Sequence, residues 1–190
     1  MKVLQILPQL NIGGVERGTL DLSKALIQKG HESFVISGGG ILVDELIQSG
    51  AKHYEIPVHI KSLRTLSLAK NLSKTISSID PDIVHVRSRM PAWVNFRAFK
   101  MLQKKPLLIS TFHGLYSFPI YSKVMSFVDH SIAISKTVEK YILENYKLDK
   151  NHITVIPRGC DPIEFNNDQL IPMIKLILLT SFHKLLEKKY

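Results

Sequence analysis

Short apolar runs alternate with helix-forming stretches along most of this chain, and no other feature constrains the fold as strongly. Seven runs favour strands: Val3–Leu7, His31–Ser37, Lys52–Val58, Ile83–Val86, Leu107–Thr111, Ser131–Ile134 and Ile153–Ile156. The stretches between them favour helices: 15–26, Leu42–Ser49, Leu63–Ile79, Pro91–Lys104, Phe118–Phe127 and Lys136–Tyr146. Strands joined by helices of this length form right-handed crossovers. The sequence therefore predicts an α/β fold with a mostly parallel sheet flanked by helices.

The residues that follow the predicted strands are polar, glycine-rich or basic. They are Gly13-Gly14, Gly38–Gly40, Arg87-Ser88-Arg89, His113-Gly114, Ser135 and Arg158-Gly159. In a parallel sheet the carboxyl ends of all strands lie at one edge, where ligands bind. We therefore expect one site assembled from these loops.

The paired glycines Gly13 and Gly14 separate the first strand from the first helix. Without side chains there, the backbone can approach a ligand closely, and the N–H groups of the helix start favour an anion. The pattern is not that of a dinucleotide site, because it lacks Gly-x-Gly-x-x-Gly and the second strand ends at Ser37 without an acidic residue. A tight turn with no ligand is the alternative interpretation.

One histidine and three arginines are candidate ligand-binding side chains. His113 can bind a substrate hydroxyl or act as an acid or base near neutral pH, unless it only caps a turn. Arg87 and Arg89 can hold a phosphate or carboxylate in bidentate contacts, unless they are solvated loop charges. Arg158 holds a comparable position between a proline and a glycine. His85 lies inside an apolar run, and we predict a buried, hydrogen-bonded histidine.

The chain of 190 residues fits one ordinary domain and carries 25 Lys and Arg against 16 Asp and Glu, a net charge of +9. Such an excess favours anionic partners, namely nucleic acid, anionic lipid or phosphorylated substrates. Only net charge supports nucleic acid, since no recognised basic–aromatic module is present, and we predict no nucleic-acid partner. Cys160 is the single cysteine and no Cys and His cluster has zinc-like spacing, so no metal is predicted.

A basic stretch over 61–79 carries Lys61, Arg64, Lys70 and Lys74 on a predicted amphipathic helix. Such a helix can lie on an anionic membrane surface, although an ordinary solvated face is the alternative. The sequence has no convincing signal peptide and no uninterrupted apolar run of about 18 residues. We therefore expect a cytoplasmic protein that can associate peripherally with the inner face of the membrane.

Taken together and in order, several segments resemble the amino-terminal domain of the family 4 retaining glycosyltransferases, which have the two-domain GT-B fold. The matching stretches are Leu7–Arg17, Gly30–Glu32, Pro81–His85, Thr111–Gly114, Ala133–Ser135 and Val155–Asp161. Residues Arg87–Trp93 resemble a feature of bacterial enzymes that build envelope polysaccharides. The resemblance implies a Rossmann-like domain and a role in the synthesis of lipopolysaccharide or a related glycan.

In this family a sugar passes from a nucleotide-sugar to a glycan or lipid-linked acceptor with retention at the anomeric carbon, and no metal cofactor is expected. The resemblance makes His113 the candidate catalytic residue, in contact with the transferred sugar or its acceptor hydroxyl. The candidate substrate and donor-phosphate ligands are Gly13, Gly14, Arg17, Arg87, Arg89, Gly114, Ser135 and Arg158. Family members usually carry Asn at the position of Arg158.

Residues 1–165 are expected to form the acceptor-side domain, and 166–190 form an atypical apolar and basic tail where the donor-binding domain would follow. The chain alone is therefore expected to be inactive or very weak, with a separately encoded donor domain as a possible partner. The alternative is a non-catalytic binding module, either a half-enzyme or the remnant of a split gene.

Overall fold

The computed structural model describes residues 1–60, 68–117 and 119–159. Its centre is a sheet of seven parallel strands in the order β3-β2-β1-β4-β5-β6-β7. The strands are β1 Lys2–Ile6, β2 Glu32–Ser37, β3 Lys52–Glu55, β4 Ile83–Val86, β5 Leu107–Phe112, β6 His130–Ala133 and β7 Ile153–Val155. The predicted alternation is therefore confirmed.

Helices connect these strands on both faces of the sheet. They are α1 Gly14–Gln28, α2 Val43–Gln48, α3 Ala69–Ile79, α4 Arg89–Phe99, α5 Pro119–Ser122 and α6 Lys136–Tyr146. Two 3₁₀ turns, Lys123–Ser126 and Lys150–His152, complete the connections to β6 and β7.

The order of the strands reverses beside β1. Ile6 of β1 lies opposite Ile36 of β2 on one side and opposite Val86 of β4 on the other. The chain then leaves β1 and β4 in opposite directions. Such a reversal opens a crevice at the carboxyl ends of the two strands, where open α/β sheets bind ligands.

Apolar packing differs between the two faces of the sheet. A large cluster joins the strands to α3, α4 and α6, and its fully buried members include Leu4, Ile6, Ile36, Leu72, Val84, Val94, Phe112 and Ile142. A smaller cluster under α1 and α2 comprises Leu7, Leu10, Leu20, Val35, Leu46 and Ala51. Both faces of a parallel sheet need such cover.

Several predicted element bounds are wrong by a few residues. Helix α4 begins at Arg89 rather than Pro91 and ends at Phe99. Ser88 is extended and occupies the N-cap, which leaves Pro91 within the first turn, where its missing N–H carries no helical bond. Strand β3 ends before Pro57, and the first part of the predicted helix Leu63–Ile79 lies outside the described residues.

The chain divides into two compact units, Met1–Pro157 and Arg158–Tyr190. The seven strands and six helices all belong to the first unit. Over the described ranges, no helix has both the length and the apolar character needed to cross a membrane.

Candidate functional site

The loop after β1 turns sharply and leads into α1. Gly13 caps the helix with an extended backbone, and its carbonyl accepts from the Arg17 N–H at 2.9 Å. The loop also packs on the loop after β2, since Leu10 N–H donates to the Gly39 carbonyl at 2.8 Å. Gly40, at a φ of 139°, lies so close to the Leu10 carbonyl that a side chain would not fit there. The loop after β2 therefore holds the predicted turn after β1 in place.

Helix α1 presents its N-terminus to this turn. The N-cap at Gly13 makes no side-chain hydrogen bond, and Gly14 is the first helical residue. The first N–H groups of a helix have no partner within it, and the helix dipole is positive at this end. The start of α1 therefore favours an anion, and the carboxylate of Glu16 in its first turn already lies where a side chain on Gly13 would be.

Arg17 lies on the flank of α1 that faces α2. Its guanidinium is 3.4 Å from an Asp21 oxygen and 3.4 Å from an oxygen of Glu45. Glu45 also accepts from Lys24 at 2.9 Å, and that hydrogen bond is the main reason why the pKa of Glu45 is lowered. Arg17 thus helps to join α1 and α2, and its proposed contact with a phosphate stays a prediction.

Arg87 follows β4 and is buried on the α1 side of the sheet. Its Nη1 donates to the Gln5 Oε1 at 2.7 Å. The amide of Gln5, itself fully buried, donates in turn to the Thr19 carbonyl at 3.1 Å and to the Ser23 hydroxyl at 3.0 Å. These bonds fix which end of the Gln5 amide faces Arg87. The guanidinium is therefore held between the central strand and α1.

Gly18 makes room for this arginine. A Cβ atom at Gly18 would lie 3.2 Å from the Arg87 Nη2. The guanidinium therefore packs against the second turn of α1 and places a positive charge under the amino-terminal part of that helix. A fixed cation and a helix N-terminus favour the same kind of ligand, an anion.

His85, in β4 two residues before Arg87, is buried, as the sequence predicts. Its Nε2 lies 2.7 Å from the Thr111 hydroxyl of the neighbouring strand. Burial is the main cause that lowers the pKa of His85 to about 3, and the charges of Arg87 and His113 add to the effect. His85 is therefore neutral near pH 7, and it lies within electrostatic range of both Arg87 and His113.

His113 directly follows β5 and is half-buried. Its backbone hydrogen-bonds to the side chain of Tyr116, whose pKa is raised chiefly by burial. The Tyr116 carbonyl accepts from the Tyr141 hydroxyl of α6 at 2.7 Å. The loop after His113 is therefore anchored to the next helix. Gly114, by contrast, has open space around it.

Arg89 has surroundings different from those of Arg87. Its guanidinium carbon lies 4.8 Å from the centre of the Tyr116 ring and 5.6 Å from that of Tyr121. Contacts of this kind stabilise a cation over an aromatic face. The two arginines, both predicted to hold a phosphate or carboxylate, thus pack against different partners, and that role stays a prediction for each.

The last two predicted ligands lie further along the chain. Ser135 caps α6, and its hydroxyl accepts from the Val138 N–H at 3.2 Å, which confirms the predicted N-cap. Arg158 is exposed and falls in the second unit. Any contact of either residue with a ligand stays a prediction.

Gln5 and Thr111, the side chains that bind Arg87 and His85, are not among the candidates predicted from the sequence. The available signal for Gln5 was a single polar residue inside an apolar strand, at a position that a buried sheet would otherwise fill with an apolar side chain. In the part of the chain that the structure describes, no three His, Cys, Asp or Glu side chains are grouped as metal ligands.

The fold and the loops at the carboxyl ends of β1 and β4 define a class of protein. It is a doubly wound, all-parallel α/β domain with its ligand crevice where the strand order reverses. Residues 12–164 match the model of Glycosyltransferase Family 4, and the chain belongs to that family. The sheet and its helices match the Rossmann-like half of a GT-B glycosyltransferase. The predicted fold class and family are both confirmed.

The chain spans about half or less of the length of the three similar proteins described next. A glycosyltransferase structure from Rickettsia africae has 35% identity and a TM-score of 0.73 over 93% of this chain and 49% of that one. Anabaena HepE, solved with UDP and glucose, has 16% identity and a TM-score of 0.71 over 93% of this chain and 50% of that one. One component of the human phosphatidylinositol N-acetylglucosaminyltransferase is 25% identical over 83% of this chain and 36% of its own length.

Proposed function

We propose that this chain is the acceptor-side half of a glycosyltransferase that moves a sugar from a nucleotide-sugar to a lipid-linked or envelope-glycan acceptor. One observation carries the proposal. The N-terminus of α1 and the buried Arg87 lie at the carboxyl ends of β1 and β4, where the strand order reverses, and His113 follows the next strand, β5. This is where an α/β sheet of this type binds its ligand.

Each of these groups has a role in the proposed reaction. Leaving of the nucleoside diphosphate concentrates negative charge on its phosphates, and oriented N–H groups and cations stabilise that charge. The start of α1 and Arg87 supply such groups on this side of the crevice. His113 orients a hydroxyl of the transferred sugar or of the acceptor. The bond from the sugar to the diphosphate oxygen breaks with its electrons left on the diphosphate, a bond from the sugar to the acceptor oxygen forms, and the acceptor hydroxyl proton passes to the departing diphosphate.

The names of the similar proteins support the substrate classes. The HepE structure contains UDP and glucose, and the name of the human protein indicates transfer to phosphatidylinositol, a lipid. A nucleotide-sugar donor and a lipid-linked acceptor are therefore the first substrates to test. An acceptor of the lipopolysaccharide type and a cytoplasmic location belong to the same proposal.

The chain spans about half the length of these structures. In the proposed reaction, groups outside the described residues complete the donor site, and without those groups the described residues bind ligand weakly and transfer no sugar.

The test is an NMR titration of the full chain with UDP and with UDP-glucose, in which the amide signals of its glycines are monitored. We expect shifts at Gly13, Gly14 and Gly114. Gly30 and Gly50 provide the internal control, because they lie in loops that enter β2 and β3 at the opposite edge of the sheet. Equal shifts at both edges, or no shift at millimolar nucleotide, would contradict the proposal.

A variant pair sharpens this test. His113→Ala should reduce the shifts caused by UDP-glucose more than those caused by UDP, since the histidine is assigned to the sugar. His31→Ala is the matched control at the amino end of β2 and should change neither. Sugar transfer by the purified chain without a partner would contradict the half-enzyme proposal and leave the site assignment in place.

A further inference from the structure

The net positive charge of this chain comes from one segment. Between Glu55 and Asp129 there are eleven Lys and Arg residues and two acidic residues, Asp80 and Asp82. Elsewhere basic and acidic residues are equal in number, fourteen of each. The whole net charge of +9 therefore arises between those two positions. Charge segregated in this way indicates an anionic partner more strongly than net charge alone.

In the fold, four of these eleven cations lie on two neighbouring helices that cover one face of the sheet. Helices α3 and α4 pack side by side on the same face of the sheet. Their exposed cations are Lys70 and Lys74 of α3, Arg97 of α4 and Lys100 at its C-cap. We call these four residues the basic face. Neither helix contains an acidic residue, and among the described residues no carboxylate lies within 4.0 Å of any of the four.

The apolar side of α3 is already used by the core. Leu72, Ile76 and Ile79 are buried in the large cluster. The helix therefore cannot insert its apolar face into a bilayer while the domain is folded, which excludes the usual mode of an interfacial amphipathic helix for residues 69–79. Any attraction of the basic face to a membrane is electrostatic.

Exposed aliphatic side chains lie beside the start of α4. Leu115 is 61% exposed and Ile120 is 90% exposed, both in the connection between β5 and β6. This connection is held on α4, since the Trp93 Nε1 donates to the Tyr121 carbonyl at 3.0 Å. The tyrosine hydroxyl also reaches the Met90 sulfur at 3.2 Å. Aliphatic groups thus project beside the first half of α4, the helix whose last turn and C-cap carry Arg97 and Lys100 of the basic face.

We propose that the basic face, together with Leu115 and Ile120, binds the surface of an anionic lipid bilayer. Cations attract anionic headgroups, and exposed aliphatic side chains enter the boundary between headgroups and acyl chains. Single-stranded nucleic acid would instead need open aromatic rings for stacking. The rings near this surface are packed on each other, with Trp93 and Phe96 centres 6.1 Å apart and Trp93 and Tyr121 centres 6.3 Å apart.

This surface is close to the candidate site. Helix α4 starts at Arg89, two residues after Arg87, and the connection that carries Leu115 begins at His113. A bilayer bound here would hold a lipid-linked acceptor near the crevice. The membrane proposal does not require the proposed transfer reaction, and its test does not use nucleotide.

The experiment is cosedimentation of the full chain with vesicles of phosphatidylcholine, with and without phosphatidylglycerol. One quadruple variant replaces the basic face with Gln: Lys70→Gln, Lys74→Gln, Arg97→Gln and Lys100→Gln. The control replaces four exposed lysines elsewhere: Lys29→Gln, Lys52→Gln, Lys136→Gln and Lys150→Gln. Both variants have the same net charge. Circular dichroism spectra identical to that of the native chain verify that each is folded.

We expect the native chain to bind only vesicles with phosphatidylglycerol. The basic-face variant should lose affinity by about 100-fold, and the control should keep affinity within about threefold. A double variant, Leu115→Ser with Ile120→Ser, should lose several-fold in affinity, and that loss should persist when salt is raised. Equal losses in the two quadruple variants would overturn the proposal, as would displacement of the chain from vesicles by stoichiometric single-stranded RNA.

Discussion

Leu4 and Gln5 are neighbours in the central strand, yet they face two different interiors. Leu4 enters the large apolar cluster under α3 and α4, where packing is the only interaction. Gln5 faces α1 and is part of a buried polar chain that runs from Arg87 through Gln5 to Ser23 and on to Ser33. Both residues are completely buried.

The difference shows where the fold gives up apolar packing for a fixed polar group. A buried arginine is costly unless its donors are satisfied, and an apolar replacement is often as stable. The polar chain therefore contributes less to stability than the apolar cluster of similar depth. What it adds is the position of one cation beside the N-terminus of α1, which is the feature that the proposed function uses.

Gln5→Leu should break this arrangement with the largest effect. The substitution adds apolar surface but removes the Gln5 Oε1 that accepts from Arg87, so the buried cation loses one charge-assisted hydrogen bond. We expect the free energy of unfolding to fall by about 3 kcal/mol, measured by urea denaturation. A loss below about 0.5 kcal/mol would show that the polar chain does not hold the arginine in the folded state.

Two variants serve as controls for that prediction: the single variant Arg87→Leu and the double variant that combines Arg87→Leu with Gln5→Leu. Because removing both partners leaves no buried charge, the double variant should be more stable than Gln5→Leu alone, with a coupling energy of at least about 1 kcal/mol. Additive effects of the two single substitutions would contradict the contact. NMR titration of the same variants with UDP then relates stability to ligand binding.

A smaller effect is expected from His85 when pH is lowered. Its pKa falls from 6.5 to about 3 on folding, so between these values the unfolded chain binds a proton that the folded chain does not. The free energy of unfolding should therefore decrease as pH falls through this window, by about 2 kcal/mol between pH 6 and 4.5. Urea denaturation at several pH values measures the slope.

His85→Gln is the matched variant, because an amide can still bond to the Thr111 hydroxyl but does not titrate in this range. Its slope should be smaller than that of the native chain by the contribution of one histidine. Burial also lowers the pKa of His53, so His53 contributes part of the slope in both proteins. Identical slopes would show that His85 is protonated in the folded state and would contradict its neutral role beside Arg87.

The same contrast explains what the sequence could predict. Strands such as Ile83–Val86 follow from local sequence patterns, so their existence could be predicted. Because the strands are parallel, the edge of the sheet at which their loops meet could be predicted as well. The bond between Arg87 and Gln5 joins residues 82 positions apart and depends on the register of β1 and β4. Likewise, nothing near Arg89 in sequence indicates that it packs on Tyr116 and Tyr121. Local patterns predict elements, while side-chain partners require the tertiary fold.

Ser135 gives the smallest effect and tests a polar group on the apolar side of the sheet. Its hydroxyl accepts from the Val138 N–H, so the bond is made within one turn and needs no long chain of partners. Ser135→Ala should lower the free energy of unfolding by about 1 kcal/mol through loss of the cap. Ser135→Asn, which also caps helices well, should restore most of it. If Ser135 only caps α6, neither variant changes the NMR shifts caused by UDP-glucose at Gly114. If it also binds substrate, Ser135→Asn keeps native stability and loses those shifts, which would separate the two roles at a single atom.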